Sequence, residues 1–270
     1  MISDGSRNWG GFFVFSTRRT RGTCHLASRR RQFVKYAGAR TIEYAGRPED
    51  AVDRLKRAVP VYQDLQHPSL ISLVDHGEAG PGYVVVFEWF DGESLHPHWK
   101  FPPPHKYTDP HSPYRRFRQL PVERRLAALE TIFQFHVHVE ARQYAAIDFY
   151  DGSLLYNFSS HAVKICDIDF YTPKPLINTA GRLWGSSRFM SPEEFELGAA
   201  IDARTNVFTM GASAFALLGA EEDRSFSRWE AGTAFYDVAL RAVEQDRMKR
   251  FSSVGAFYRA WTVARQRDGV

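Results

Sequence analysis

Hydrophobic and polar positions along this chain change period twice, and each change predicts a different kind of element. Residues 8–15 (NWGGFFVF) and 33–37 (FVKYA) carry the short, β-rich apolar pattern of strands, the first entered through Gly10 and Gly11. Residues 48–65 switch to helical spacing. Pro48 stands at the start, Glu49 and Asp50 fall in the first turn, and Val52, Leu55, Val59 and Tyr62 follow at intervals of three and four. Pro60 is predicted to kink this helix, because a mid-helix proline removes a hydrogen bond. Residues 70–74 and 83–87 read as two more strands, separated by the turn Gly77-Glu78-Ala79-Gly80-Pro81-Gly82.

Beyond these strands the pattern lapses and then returns. Residues 96–119 are rich in Pro and His, show no period, and are expected to form an irregular surface insertion. Residues 120–142 predict a long amphipathic helix built on Leu126, Leu129, Ile132 and Phe133. Two short strands, each associated with an aspartate, come next, then an irregular stretch to Pro192, and the chain from about Glu193 reads as helical. A β-rich part followed by a helical part predicts an α+β fold. The expected lobes are residues 1–88 and 89–270, the insertion 96–119 belonging to the second, with a cleft where they join.

Composition narrows the setting. A chain of 270 residues with 44% hydrophobic content supplies core enough for one large domain or two lobes. No apolar run approaches the ~18 residues that span a bilayer, and the start lacks the apolar core of a signal peptide. Cys24 and Cys166 make no disulfide framework, so a reducing, cytoplasmic location is the expectation. The net charge of +4 reflects arginines, clustered at residues 18–21 and 29–31 and read as a solvated hairpin; nucleic-acid binding is not indicated. His96, His98, His105 and His111 fit no tight ligand spacing and read as a solvated loop. His136 and Glu140 lie one helical turn apart and are expected to be a surface pair.

The residues able to carry chemistry stand in one order. Lys35 lies in the strand before the first helix, and Val-Phe-Glu-Trp-Phe-Asp-Gly-Glu-Ser-Leu (residues 86–95) follows the later strand pair. Ala-Ile-Asp-Phe-Tyr-Asp-Gly-Ser-Leu-Leu (residues 146–155) holds Asp148 and Ser153, and Asp167 comes 19 residues after Asp148 in Lys-Ile-Cys-Asp-Ile-Asp. Gly-Ser-Ser-Arg-Phe-Met-Ser-Pro-Glu ends at Glu193, Asn-Val-Phe-Thr-Met-Gly opens at Asn206, and Arg-Phe-Ser-Ser-Val opens at Arg250. In this order the chain resembles the protein kinase family, of the bacterial serine/threonine type with degenerate motifs.

The resemblance implies a two-lobed protein-kinase-like fold and ATP-dependent phosphoryl transfer to a Ser or Thr hydroxyl of a protein. It implies that Asp148 orients the attacking hydroxyl, that Asp167 with Ser153 holds Mg²⁺, and that Lys35 pairs with the α- and β-phosphates. Backbone groups of Glu88 and Phe90 would hold the adenine, with Phe87 at the back of its pocket. Glu193 and Arg250 would form a buried ion pair, Asn206 would open the buried central helix in place of the usual Asp, and Ser186 would take the threonine position of the activation segment. A nucleotide and a protein substrate are the partners implied, with no membrane segment.

Departures from the family pattern are as specific as the matches. No G-x-G-x-x-G precedes Lys35, and Ala58 stands where a helix glutamate should pair with it; Asp53 or Glu49 would substitute only in a shifted helix. Ala146 and Ile147 replace the His-Arg before the catalytic Asp, Tyr150 replaces a phosphate-binding lysine, Ser153 replaces an Asn, and Asp169 replaces a Gly. Together these predict slow turnover and keep two alternatives in view. One is a pseudokinase that binds nucleotide without transfer. The other is a small-molecule phosphotransferase of the aminoglycoside-kinase type, which residues 185–193 oppose because such enzymes lack this peptide-docking element.

Overall fold

The computed structural model describes residues 7–9, 12–19, 30–39 and 47–268, and the chain divides into two compact units, Met1–Asp91 and Gly92–Val270. Gly10, Gly11, Arg21, Cys24 and Arg29 lie outside the described residues. Helices and small antiparallel sheets together make a mixed α+β protein. Among the described residues no helix is long and apolar enough to cross a membrane.

In the first unit, β1 (Arg7–Trp9), β2 (Phe12–Arg19), β3 (Arg30–Ala37), β4 (Leu73–Ala79) and β5 (Gly82–Glu88) form an antiparallel sheet in the order β1-β2-β3-β5-β4. Helix α1 (Pro48–Asp64) continues through Pro60 and packs against β3 and β5. Its buried face is Ala51, Leu55, Ala58, Val59 and Tyr62, whose ring centroid lies 4.8 Å from that of Phe87. The expected turn over residues 77–82 is shorter than the glycines suggested. Strand β4 runs on to Ala79, with Ala79 opposite Gly82, and leaves only Gly80 and Pro81 between the strands. Gly82 can be nothing larger, since a Cβ there would lie 2.0 Å from the Ala37 carbonyl oxygen.

The second unit is organised around a buried helix. Strand β6 (Glu93–Ser94) is followed by helices α2 (His105–Thr108), α3 (Pro113–Arg118) and α4 (Val122–Ala141). Short strands β7 (Tyr144–Ala145), β8 (Leu154–Tyr156), β9 (Val163–Ile165), β10 (Thr172–Pro173), β11 (Leu176–Ile177) and β12 (Ala200–Ile201) lead to α5 (Ala203–Leu218), α6 (Thr233–Ala242) and α7 (Val254–Arg267). Every residue of α5 from Thr205 to Leu218 is buried, as its apolar sequence on all sides requires. Helices α4, α6 and α7 surround it, and α4 meets α7 through Phe133 against Phe257 and Trp261, at ring separations of 4.8 and 5.1 Å.

Residues 96–119 are not an irregular surface loop. They hold α2 and α3, and His96, Phe101, Lys106, Ser112, Tyr114 and Phe117 are all buried. His136 is also no surface residue. It is fully buried in α4, bonded to the Ile132 carbonyl at 2.8 Å and the Tyr171 hydroxyl at 2.8 Å, while Glu140 accepts from the Val254 amide at the start of α7.

Candidate functional site

In the second unit, strands β7 and β8 bracket the loop that carries Asp148. Asn206, near the start of α5, fixes the loop's entry. Its amide donates to the Tyr144 carbonyl at 2.9 Å, and its side-chain oxygen accepts from the Ala146 amide at 2.8 Å. An asparagine supplies the donor and the acceptor that this pair of backbone groups needs, which a carboxylate cannot. Below the loop, Phe149 packs edge-on to His136 at 4.4 Å. Burial holds the His136 imidazole down at about 4, so it stays neutral, donating to Ile132 and accepting from Tyr171.

Asp148 has φ +64° and Asp167 has φ +58°. Aspartate tolerates the left-handed region better than most side chains, and non-glycine residues held there concentrate at functional sites. Strand pairing brings the two loops side by side, with Leu154 opposite Ile165 and the Cys166 amide donating to the Ser153 carbonyl at 2.9 Å. Ser153 is completely buried, and its hydroxyl has no hydrogen-bond partner among the described residues. Tyr150 is pushed well above the ordinary phenol range by burial and by the charges of Asp167, Asp148 and Asp151, so it remains a neutral phenol. Its ring presses on Gly152, where a Cβ would come within 2.3 Å of it.

Residues 185–193 lie against this loop. Gly185 has φ +144°, and a Cβ placed on it would be 3.6 Å from the Asp148 Cα. Ser186, half-buried, accepts from the Phe189 amide at 2.9 Å. The segment ends at Glu193, whose two carboxylate oxygens meet Arg250 Nη1 and Nη2 at 2.8 and 3.1 Å. Burial opposes the Glu193 charge, but Arg250 and the Thr205 hydroxyl hold the carboxyl below its ordinary value. Such a pair is fixed by the cost of leaving either charge alone in the interior.

A second charge cluster was not legible in the sequence. Asp151, three residues after Asp148, is 1% exposed and receives Lys106 Nζ at 2.6 Å, Arg188 at 3.1 and 3.2 Å, and His96 Nδ1 at 3.2 Å. Glu221 receives Lys106 Nζ and Arg188 Nη1, each at 2.6 Å, and the Tyr107 hydroxyl at 2.8 Å. Burial by itself would raise Asp151, yet Lys106, His96 and Arg188 keep it well below the usual carboxylate range. No local pattern marks these partners, since Lys106 and Glu221 are 115 residues apart. An acid inside a candidate catalytic loop and an arginine inside residues 185–193 were the available signals.

The first unit holds the other sequence-predicted residues. Lys35 is buried in β3, opposite Val14 on β2 and Val85 on β5. Ala58 lies on the buried face of α1, whereas Glu49 and Asp53 are exposed. Phe87 is buried, Glu88 is exposed with its amide donated to the Ser72 carbonyl at 2.9 Å, and Phe90 is half-buried.

Among the described residues there is no group of three or more His, Cys, Asp or Glu side chains able to cage a metal ion. Mg²⁺ does not need such a cage, since it commonly takes one or two carboxylates and completes its shell with phosphate and water oxygens. Asp167 and the Ser153 hydroxyl, which has no hydrogen-bond partner among the described residues, are the oxygens in kind that would suit such an ion.

No family model matches the chain. A curated relative, the serine/threonine-protein kinase pkn2 of Myxococcus xanthus, is 21% identical over 173 residues, covering 62% of this chain and 19% of that protein. The chain thus spans about a fifth of that relative's length. The likeness is distant and kinase-like.

Proposed function

We propose that the chain is an ATP-dependent phosphotransferase acting on a Ser or Thr hydroxyl of a protein, with the two units as the lobes of a kinase-like fold. The observation that carries this reading is the pair of left-handed aspartates, Asp148 and Asp167, on loops tied together through Ser153, with Gly185 packed against Asp148. In this reading Asp148 accepts the hydrogen bond of the acceptor hydroxyl and aims its oxygen. Asp167 and Ser153 hold Mg²⁺, which supplies neutralisation of the phosphate charge. Lys35 pairs with the α- and β-phosphates, and Tyr150 adds a neutral donor where the family has a cation. Positioning and charge neutralisation are the main needs of phosphoryl transfer, so these residues suffice in kind.

A specific observation favours a second reading, a nucleotide-binding scaffold without catalysis. Helix α1 places Ala58 on its buried face, where the family has its glutamate, and keeps Glu49 and Asp53, the two candidate substitutes, exposed.

One pair of measurements separates the readings. Mg-ATP should raise the melting temperature, corresponding to about 2.7 kcal/mol at a hundredfold excess over Kd. Lys35→Met and Asp167→Asn should each remove most of that shift. Asp148→Ala should keep it while lowering radiolabel transfer by roughly 10²–10⁴-fold. Label incorporation equal in wild type and Asp148→Ala would leave the scaffold reading in the lead. No shift at millimolar Mg-ATP would sink both.

A further inference from the structure

Arg188 lies in the middle of residues 185–190, whose own backbone bonds are local: Phe189 to Ser186 at 2.9 Å and Met190 to Ser187 at 3.3 Å. Turns of this kind set a local shape without fixing where a segment lies. Phe189 and Met190 anchor it by burial, and the long-range polar tie comes from the Arg188 side chain, which reaches Asp151 and Glu221 together. Both carboxylates also bind Lys106 Nζ, at 2.6 Å each. Lys106 is 1% exposed, and its ammonium lies 3.9 Å from the centre of the Tyr114 ring and 5.0 Å from that of Tyr107. A desolvated cation between aromatic faces and two carboxylates has every attraction available to it.

Charge arithmetic makes Lys106 the deciding member. Asp151 and Glu221 balance Lys106 and Arg188, so the cluster closes at zero. Without Lys106, the buried Asp151 and the partly buried Glu221 share one guanidinium. Glu221 is held at φ +58°, a conformation that a glutamate keeps only where its surroundings demand it. Lys106 itself rides on α2, four residues long and too short to persist alone. Ser112, the N-cap of α3, donates to the Lys106 carbonyl at 2.6 Å and ties α2 to its neighbour.

We propose that Lys106, Asp151, Arg188 and Glu221 form a built-in charge clamp that fixes residues 185–190 beside Asp148 for docking of the acceptor protein. Lys106, supplied by residues 96–119, is the positioning residue. What docks there rests on the phosphotransferase reading; the clamp rests on the geometry alone. The clamp needs no phosphate on the segment, which accords with the absence of an arginine before Asp148 to anchor one.

Amide hydrogen exchange on the full chain without nucleotide tests the clamp. In Lys106→Met the Phe189 and Met190 amides should exchange about tenfold faster or more, while amides of α5 keep their wild-type rates. Glu221→Gln, which preserves volume, should act in the same direction and covers the case in which Lys106→Met fails to fold. With casein as the acceptor probe, Lys106→Met should raise KM for casein by about tenfold and leave KM for Mg-ATP unchanged. Unchanged exchange at Phe189 and Met190 in a folded variant would overturn the clamp. So would equal acceleration across α5, which would mean general loss of stability. Absence of Mg-ATP binding by wild type would overturn the phosphotransferase reading alone, and the exchange rates would still decide the clamp.

Discussion

Asp151 and Ser153 stand two residues apart in one loop, are 1% and 0% exposed, and meet opposite circumstances. Asp151 is bonded to Lys106, Arg188 and His96, whereas the Ser153 hydroxyl has no partner among the described residues. Buried polar groups in folded proteins are overwhelmingly paired, because an unpaired one forfeits its hydration. A fully paired group is part of the framework. Ser153 shares the unpaired state with other buried atoms such as Trp261 Nε1, and what distinguishes it is its place between the loops of Asp148 and Asp167. The contrast divides the loop into a paired side and an unpaired side, and in the proposed function the unpaired side serves a ligand.

The largest effect should come from the framework side. Asp151→Ala leaves the buried Lys106 and the partly buried Arg188 with Glu221 as their remaining carboxylate, and should destabilise by about 3–5 kcal/mol in urea unfolding. The same cluster predicts acid lability. Asp151 is held below its ordinary value of 3.8, so its contribution is present above that pH and is lost as pH falls through the depressed value. Asp151→Ala should therefore show a shallower acid limb than wild type. A loss under about 1 kcal/mol, the size of an exposed pair, would erase the division.

Which parts of this arrangement could be read in the sequence follows from how each is encoded. Helix α1 was legible over residues 48–65 and spans Pro48–Asp64, because Pro48, two acids and a three-four apolar spacing are all local signals. Helix α4 was legible for the same reason. Glu193 and Arg250, which meet in the second unit, could be paired because each falls in a recognisable frame. Residues 96–119 could not be read this way. Their helices are four and six residues long, too short to show a period, and the side chains they bury include His96, Lys106 and Ser112. Burial of Lys106 is dictated by Asp151 and Glu221, 45 and 115 residues away, and no window of sequence contains that information.

A second, intermediate effect tests a related contrast at adjacent residues, between an acid that meets a cation and one that meets neutral donors. Glu193 is paired with Arg250, whereas Glu194 is buried and, among the described residues, accepts from the Ser191 amide and hydroxyl alone, at 2.7 and 3.0 Å. Burial pushes Glu194 up to about 7 from an ordinary 4.5, despite the Ser191 bonds. A raised carboxyl favours the folded state below the ordinary value, and that contribution is lost as pH rises through 7. Wild type should lose about 3 kcal/mol between these limits from this group. Glu194→Gln, which mimics the protonated acid, should flatten the profile and be the more stable protein at pH 8. Parallel profiles for the two proteins would place Glu194 with the paired acids.

The smallest effect on stability is the sharpest test of the ligand side. If the Ser153 hydroxyl belonged to the framework, Ser153→Ala would cost a hydrogen bond. It has none to lose among the described residues, so the substitution removes an unpaired polar group from the interior. The variant should unfold at the same urea concentration or a higher one, with a gain of up to about 1 kcal/mol. The Mg²⁺-dependent part of the ATP thermal shift should shrink at the same time, because an oxygen donor near Asp167 is gone. Both results are needed. A stable variant with an undiminished Mg²⁺ response would make Ser153 a neutral cavity residue, and a variant destabilised by more than ~1 kcal/mol would return the hydroxyl to the framework. Gain in stability with loss of metal response is the outcome that a group kept for a ligand, at the fold's expense, has to give.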